Sequence, residues 1–134
     1  MSGFNAFVKE TMSSLMPDNS LFGNTLVTKG ELETPEVLGA FYYPATGIVA
    51  ISYNSITSTN GLGTDDISLL IYHRTTGRFW LNDKGVKRSV EDIEQTIPTG
   101  FATEDLVYWI FASRGTGNDF LVSDSIGGEP VEGV

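Results

Sequence analysis

An all-β, two-layer sandwich with one short N-terminal helix is the fold that this sequence predicts. Three observations lead to it. From Asn24 onward the apolar residues recur with a period of two rather than 3.6. Turn signals arrive every ~8–12 residues, the spacing of a sandwich or barrel. No helical pattern of useful length interrupts the seven to nine strand-like runs after residue 24. At 134 residues the chain reads as one domain. A chain of that length buries roughly two thirds of its unfolded surface, so it needs no staples. It has no cysteine, which removes disulfides, thiolate zinc sites and cysteine nucleophiles together.

The first segment, residues 1–20, has helical period. Phe4, Phe7, Val8, Met12, Leu15 and Met16 fall on one face of a helix. Ser2 is placed to cap its start, and Pro17 with Asp18, Asn19 and Ser20 stops it. Two readings are open: a helix that covers an open end of its own domain, or an arm that docks on a neighbouring subunit. Phe4, Phe7, Val8, Met12 and Met16 are the expected protein interface, since that face carries more apolar area than a short cap requires.

The sandwich is expected over residues 24–126. "TLVTKGEL" is a short strand ending at Gly30, and Thr34-Pro35 breaks the chain. "VLGAFYYP" runs to Pro44. In "GIVAISYNS", Ile48, Ala50 and Ser52 alternate with Val49, Ile51 and Tyr53. "ITSTNGLGT" is a polar loop, and "DDISLLIYHR" puts Ile67, Leu69 and Ile71 on one side. "TTG" turns the chain into "RFWLN"; Asp83, Lys84 and Gly85 turn it again into "VEDIEQTIP". "LVYWIFASR" is the last long strand. Its two faces, Leu106, Tyr108, Ile110, Ala112 and Val107, Trp109, Phe111, are both apolar, so it is covered on both sides. "RGTGND" is a hairpin tip whose glycines, Asn and Asp suit a turn, and "FLVSDS" closes the domain. Residues 127–134 read as a weakly ordered tail.

Catalytic chemistry is thin. His73 is the sole histidine and has no evident acid, base or metal partner. The carboxylate pairs Asp65–Asp66, Glu91–Asp92 and Glu104–Asp105 sit before strands and read as solvated loop ends rather than as a facing pair across a cleft. "GTDD" lacks calcium-loop spacing, and Gly61–Gly63 lacks the lysine and helix of a phosphate loop. No enzyme, no cofactor and no metal is expected. The net charge is −9, from 17 acidic and 8 basic residues. An acidic surface repels phosphate backbones, so no nucleic acid is expected as partner. The N-terminus has no basic segment followed by an unbroken apolar run, and nothing approaches the ~20 apolar residues of a membrane span. Neither a secretory signal nor membrane insertion is expected.

A series of short motifs adds a resemblance. Thr28-Lys29-Gly30-Glu31-Leu32, Tyr53 at a strand end, Asp65 to Tyr72, Arg88-Ser89 and Ser123-Asp124-Ser125 occur in this order. The chain resembles the C-terminal part of an uncharacterised bacterial and prophage domain family of unknown function, over nearly its whole length. "GFNAFVKE" resembles the helix just upstream in that family, whose longer members carry a further N-terminal region. The resemblance implies an immunoglobulin- or fibronectin-III-like sandwich and no activity. Some such proteins resemble phage structural modules.

The function expected is therefore structural: an assembly protein of a virion, such as a capsid, head or tail decoration subunit, made in a bacterial host and binding neighbouring protein chains. Its contact loop would hold Arg114, Thr116, Asn118 and Asp119. The alternative is a cell-surface glycan-binding module using the aromatics Tyr42, Tyr43, Phe79 and Trp80. The two readings part on whether the aromatics enter subunit contacts or a groove open to solvent.

Overall fold

The computed structural model describes residues 30–58, 60–115 and 121–133. The expected helix and interface of residues 1–20, the first part of the strand expected after residue 24, and Thr116, Asn118 and Asp119 lie outside the described residues.

Nine strands are described: β1 (Glu36–Tyr43), β2 (Ile48–Asn54), β3 (Asp66–His73), β4 (Phe79–Lys87), β5 (Asp92–Thr96), β6 (Leu106–Arg114), β7 (Leu121–Val122), β8 (Ile126–Gly128) and β9 (Val131–Glu132). Single 3-10 turns at Arg88–Val90 and Thr103–Asp105 lead into β5 and β6. One sheet runs β5-β2-β1-β9 and the other β4-β3-β6-β7, with β8 also paired to β6. Strands one, two and five thus make one layer while three, four and six make the other. This is the interleaving of an immunoglobulin-like sandwich.

Alternation decides what lies between the layers. Tyr42 of β1, Val49, Ile51 and Tyr53 of β2, Ile93 of β5, Ile67, Leu69 and Ile71 of β3, and Leu106, Tyr108 and Ile110 of β6 form one buried cluster. β3 and β6 pair without a break from Asp66↔Ser113 to His73↔Leu106. The turn from β1 to β2 needs its glycine: Gly47 has φ +76°, and a Cβ there would run into the Ile97 carbonyl. Leu38 stands at a register shift between Val37 and Gly39.

The segment expected as a weakly ordered tail is instead built into both sheets. Ile126–Gly128 pairs with β6, and Val131–Glu132 pairs in parallel with β1. The Gly133 amide donates to the Tyr42 carbonyl at 2.7 Å, and Arg74 holds Glu129 at 2.6 Å. "IGGEPVEGV" has little strand propensity of its own; neighbouring backbone supplies the order.

Candidate functional site

The four aromatics expected on a ligand surface do not meet. Tyr42 is fully buried and corrects that expectation. It pairs with inward-facing Val49; its hydroxyl donates to the Pro98 carbonyl and accepts from the Phe101 amide, each at 3.3 Å, so its polar tip is satisfied inside. Tyr43, one residue on, points the other way and is half-buried. Phe79 packs beside Leu70, Tyr72, Val107 and Trp109. Trp80 packs towards the core, 5.8 Å from Phe101, with the Arg78 guanidinium 5.0 Å from its ring. Of the four, Tyr43 lines an open depression.

Arg114, expected in a contact loop, is tied inward. Its Nε and Nη2 donate to Asp65 at 2.6 and 3.1 Å. Asp65 also accepts from Arg88 Nε at 3.2 Å and from the Leu62 amide at 2.9 Å. The side chains of Asp65 and Arg88 are wholly buried, contrary to the solvated loop end expected at Asp65. Arg88 further donates to the carbonyls of Ser55 and Glu33, at 2.9 and 2.7 Å. Burial by itself pushes the Asp65 carboxyl up. The Arg114 hydrogen bonds, the Leu62 amide and the two guanidinium charges outweigh it and hold the carboxyl below its ordinary value. The same contact raises Arg114. Each charged group is held by protein partners, so the cluster is a clamp joining loop 55–65 to the ends of β4 and β6. Glu91, Asp92 and Glu104 are exposed, as expected of loop ends.

His73 is buried as well. Its ring stacks on Phe101 at 4.2 Å, and Nδ1 lies 2.8 Å from Thr76 Oγ1 and accepts from the Thr76 amide at 3.3 Å. The histidine thereby fastens the β3–β4 turn. Among the described residues no three His, Asp or Glu side chains gather as a metal site would require, and no helix is long and apolar enough to cross a membrane.

The site with exposed binding potential is the outer face of the four-stranded sheet. Register sets its rows. Glu94, Ala50, Phe41 and Val131 lie side by side across β5, β2, β1 and β9. Thr96, Ile48 and Tyr43 form the next row. Leu38, Phe41 and Val131 are 66%, 41% and 56% exposed. The Tyr43 ring lies against Gly133, where a Cβ would collide with it. Tyr43, Pro44, Ala45, Thr46, Ile48, Glu94 and Gly133 line an open depression of about 470 Å³. Glu36, Asp92 and Glu94 edge this face, and none of its four strands carries a lysine or arginine. The sequence held the signal in the outward set of β1, but three adjacent aromatics in "FYY" conceal which parity faces in.

Comparison with protein-family models, with curated proteins and with solved structures finds no match to this chain.

Proposed function

We propose that this protein is a non-enzymatic assembly protein, a subunit of a larger particle, with a virion as the setting that its family resemblance suggests. The observation that carries the reading is the apolar, acid-edged outer face of the four-stranded sheet. Phe41 and Val131 are large, exposed and paired across β1 and β9, and Leu38 on the same strand is exposed too, as at protein contacts. The partner that fits is a neighbouring subunit with an apolar patch edged by basic groups. A second copy supplies such an edge: Arg78, Lys84 and Lys87 are exposed and lie on β4 or just before it. One copy presents its acidic sheet and the next its β4 side. Such a contact is heterologous and propagates into rings or filaments.

Sedimentation velocity on the chain and on Phe41→Asp tests this. Concentration-dependent association, weakened at high salt and abolished by Phe41→Asp, is the expected result. A monomer at every concentration and salt level in both proteins counts against self-assembly. One observation favours a second reading, a glycan-binding module: Tyr43 flanks an open depression with Thr46 and Glu94 beside it. A glycan screen in which Tyr43→Ala removes a signal shown by the parent chain would select that reading.

A further inference from the structure

Asn60-Gly61 sets a side-chain amide beside a backbone nitrogen that no Cβ hinders, the pairing most prone to deamidation. The reaction needs only water. The Gly61 nitrogen attacks Asn60 Cγ and a C–N bond forms. The bond from Cγ to the side-chain nitrogen breaks, and that nitrogen leaves as ammonia with the Gly61 proton. Water then opens the five-membered succinimide at either carbonyl. One opening gives aspartate; the other gives isoaspartate, whose main chain is longer by a methylene.

The fold ties down the backbone that this step must move. Gly61 donates its amide to the Ser58 carbonyl at 3.1 Å and accepts from the Ser58 amide at 2.8 Å. The Asn60 carbonyl accepts from the Glu33 amide at 2.7 Å, and the Asn60 amide donates to Ser58 Oγ at 3.2 Å. Attack breaks the bond from Gly61 to the Ser58 carbonyl and turns the Asn60–Gly61 peptide plane away from Glu33. Packing opposes that turn. A Cβ on Gly61 would lie 2.8 Å from the Ile56 carbonyl oxygen, 2.9 Å from Glu33 Cβ and 3.3 Å from the Arg88 guanidinium carbon. The same closeness demands glycine at this position, although glycine is what makes Asn60 labile.

These contacts run into the Asp65 clamp. Arg88 holds the Glu33 carbonyl at 2.7 Å, the Ser55 carbonyl at 2.9 Å and Asp65 at 3.2 Å. Asp65 accepts the Leu62 amide, one residue beyond Gly61, at 2.9 Å. Strain pulls the other way. Ile56 is β-branched with φ +46°, a conformation that persists only while its surroundings hold it.

We propose that Asn60-Gly61 is a latent modification site guarded by the clamp. Deamidation proceeds from the state in which segment 60–65 has swung off Arg88, and the isoaspartyl product bars its return. The added methylene breaks the match between the Ser58 and Glu33 bonds, and the new carboxylate adds one negative charge to a chain at −9. The segment is a one-way latch that records its own openings. The inference stands apart from the assembly reading, since it holds whether or not copies associate.

The folded chain and a synthetic peptide of residues 55–65 are incubated at mildly alkaline pH, and deamidation at Asn60 is followed by peptide mapping and mass spectrometry. Asn60 should react at least about tenfold more slowly in the folded chain than in the peptide. In Asp65→Asn, shown to be folded by circular dichroism, the rate should rise about tenfold over the parent. Should Asp65→Asn fail to fold, Arg114→Gln takes its place with the same direction expected, because Arg114 is 30% exposed and its loss leaves Arg88 on Asp65. A parent as fast as the peptide, or a folded clamp variant as slow as the parent, overturns the guarding role. Limited proteolysis tests the latch. The purified isoaspartyl form should be cut within 55–65 severalfold faster than the parent, whereas Asn60→Asp, which adds the charge without the methylene, should resist like the parent. Equal cutting of the isoaspartyl form and the parent overturns the latch.

Discussion

At the scale of single residues, the Asp65 clamp sets how the protein responds to substitution and to acid. Asp65→Ala leaves Arg88 buried without its carboxylate, and losses of this kind are about 3–5 kcal/mol. Urea unfolding of Asp65→Ala should show a loss in that range, whereas Val90→Ala, at an exposed position, should stay within about 0.5 kcal/mol of the parent. Acid acts on the same group. The folded carboxyl sits below the ordinary value of 3.8, so the unfolded chain takes up the proton first as pH falls. The clamp's contribution is therefore complete above pH 3.8 and is lost as pH drops through the folded value. Asp65→Asn should flatten the stability–pH curve in that acid range, measured by urea titration at successive pH values. None of this was legible in "GTDD". Asp65 meets Arg88 and Arg114 across 23 and 49 positions of sequence, and local pattern carries no information on which distant guanidinium a loop carboxylate will find.

At the scale of elements, the strands that alternate strongly were legible and those held by neighbours were not. β2 and β3 each show a clear inward set, and β6 announced cover on both faces through its unbroken apolar run. β8 and β9 were missed because glycine, proline and glutamate conceal strands whose order comes from pairing with β6 and β1. Tyr42 was misplaced because alternation gives parity without saying which parity faces in. Two predictions belong here. Trp109→Ala removes a wholly buried indole from β6 and should cost about 3–5 kcal/mol in equilibrium unfolding. Leu38→Ser, at the bulge in β1, should leave stability within about 0.5 kcal/mol while reducing the association seen in sedimentation, because that side chain is largely in solvent.

At the scale of the whole molecule, titration frames the range in which the sandwich persists. Burial pushes the phenols of Tyr53, Tyr72 and Tyr108 above their ordinary value of 10.0. For these groups the folded state holds the proton more tightly, so their contribution is complete below pH 10.0 and is lost as pH rises through the folded values. Thermal unfolding followed across pH should thus show a broad stable span, with losses beginning below pH 3.8 and above pH 10.0. Acidic excess acts within that span by keeping copies apart, so association through the four-stranded sheet depends on an opposed basic edge. The two-layer architecture was readable from period and composition. The exposed apolar row of the four-stranded sheet was not, because the pairing of Phe41 with Val131 joins residues far apart in sequence.

The parallel pairing of β9 with β1 also carries a mechanical consequence. β9 is joined to β1 through two residue pairs, and β8 to β6 through three, whereas β6 is joined to β3 through eight. A subunit pulled from the β9 side would yield in that order, with β9 released before β8 and the β3–β6 seam last. An optical-trap trace should show a short early extension ahead of the main rupture. A particle built from such subunits would have a compliant joint at that side, able to absorb strain before any sandwich opens.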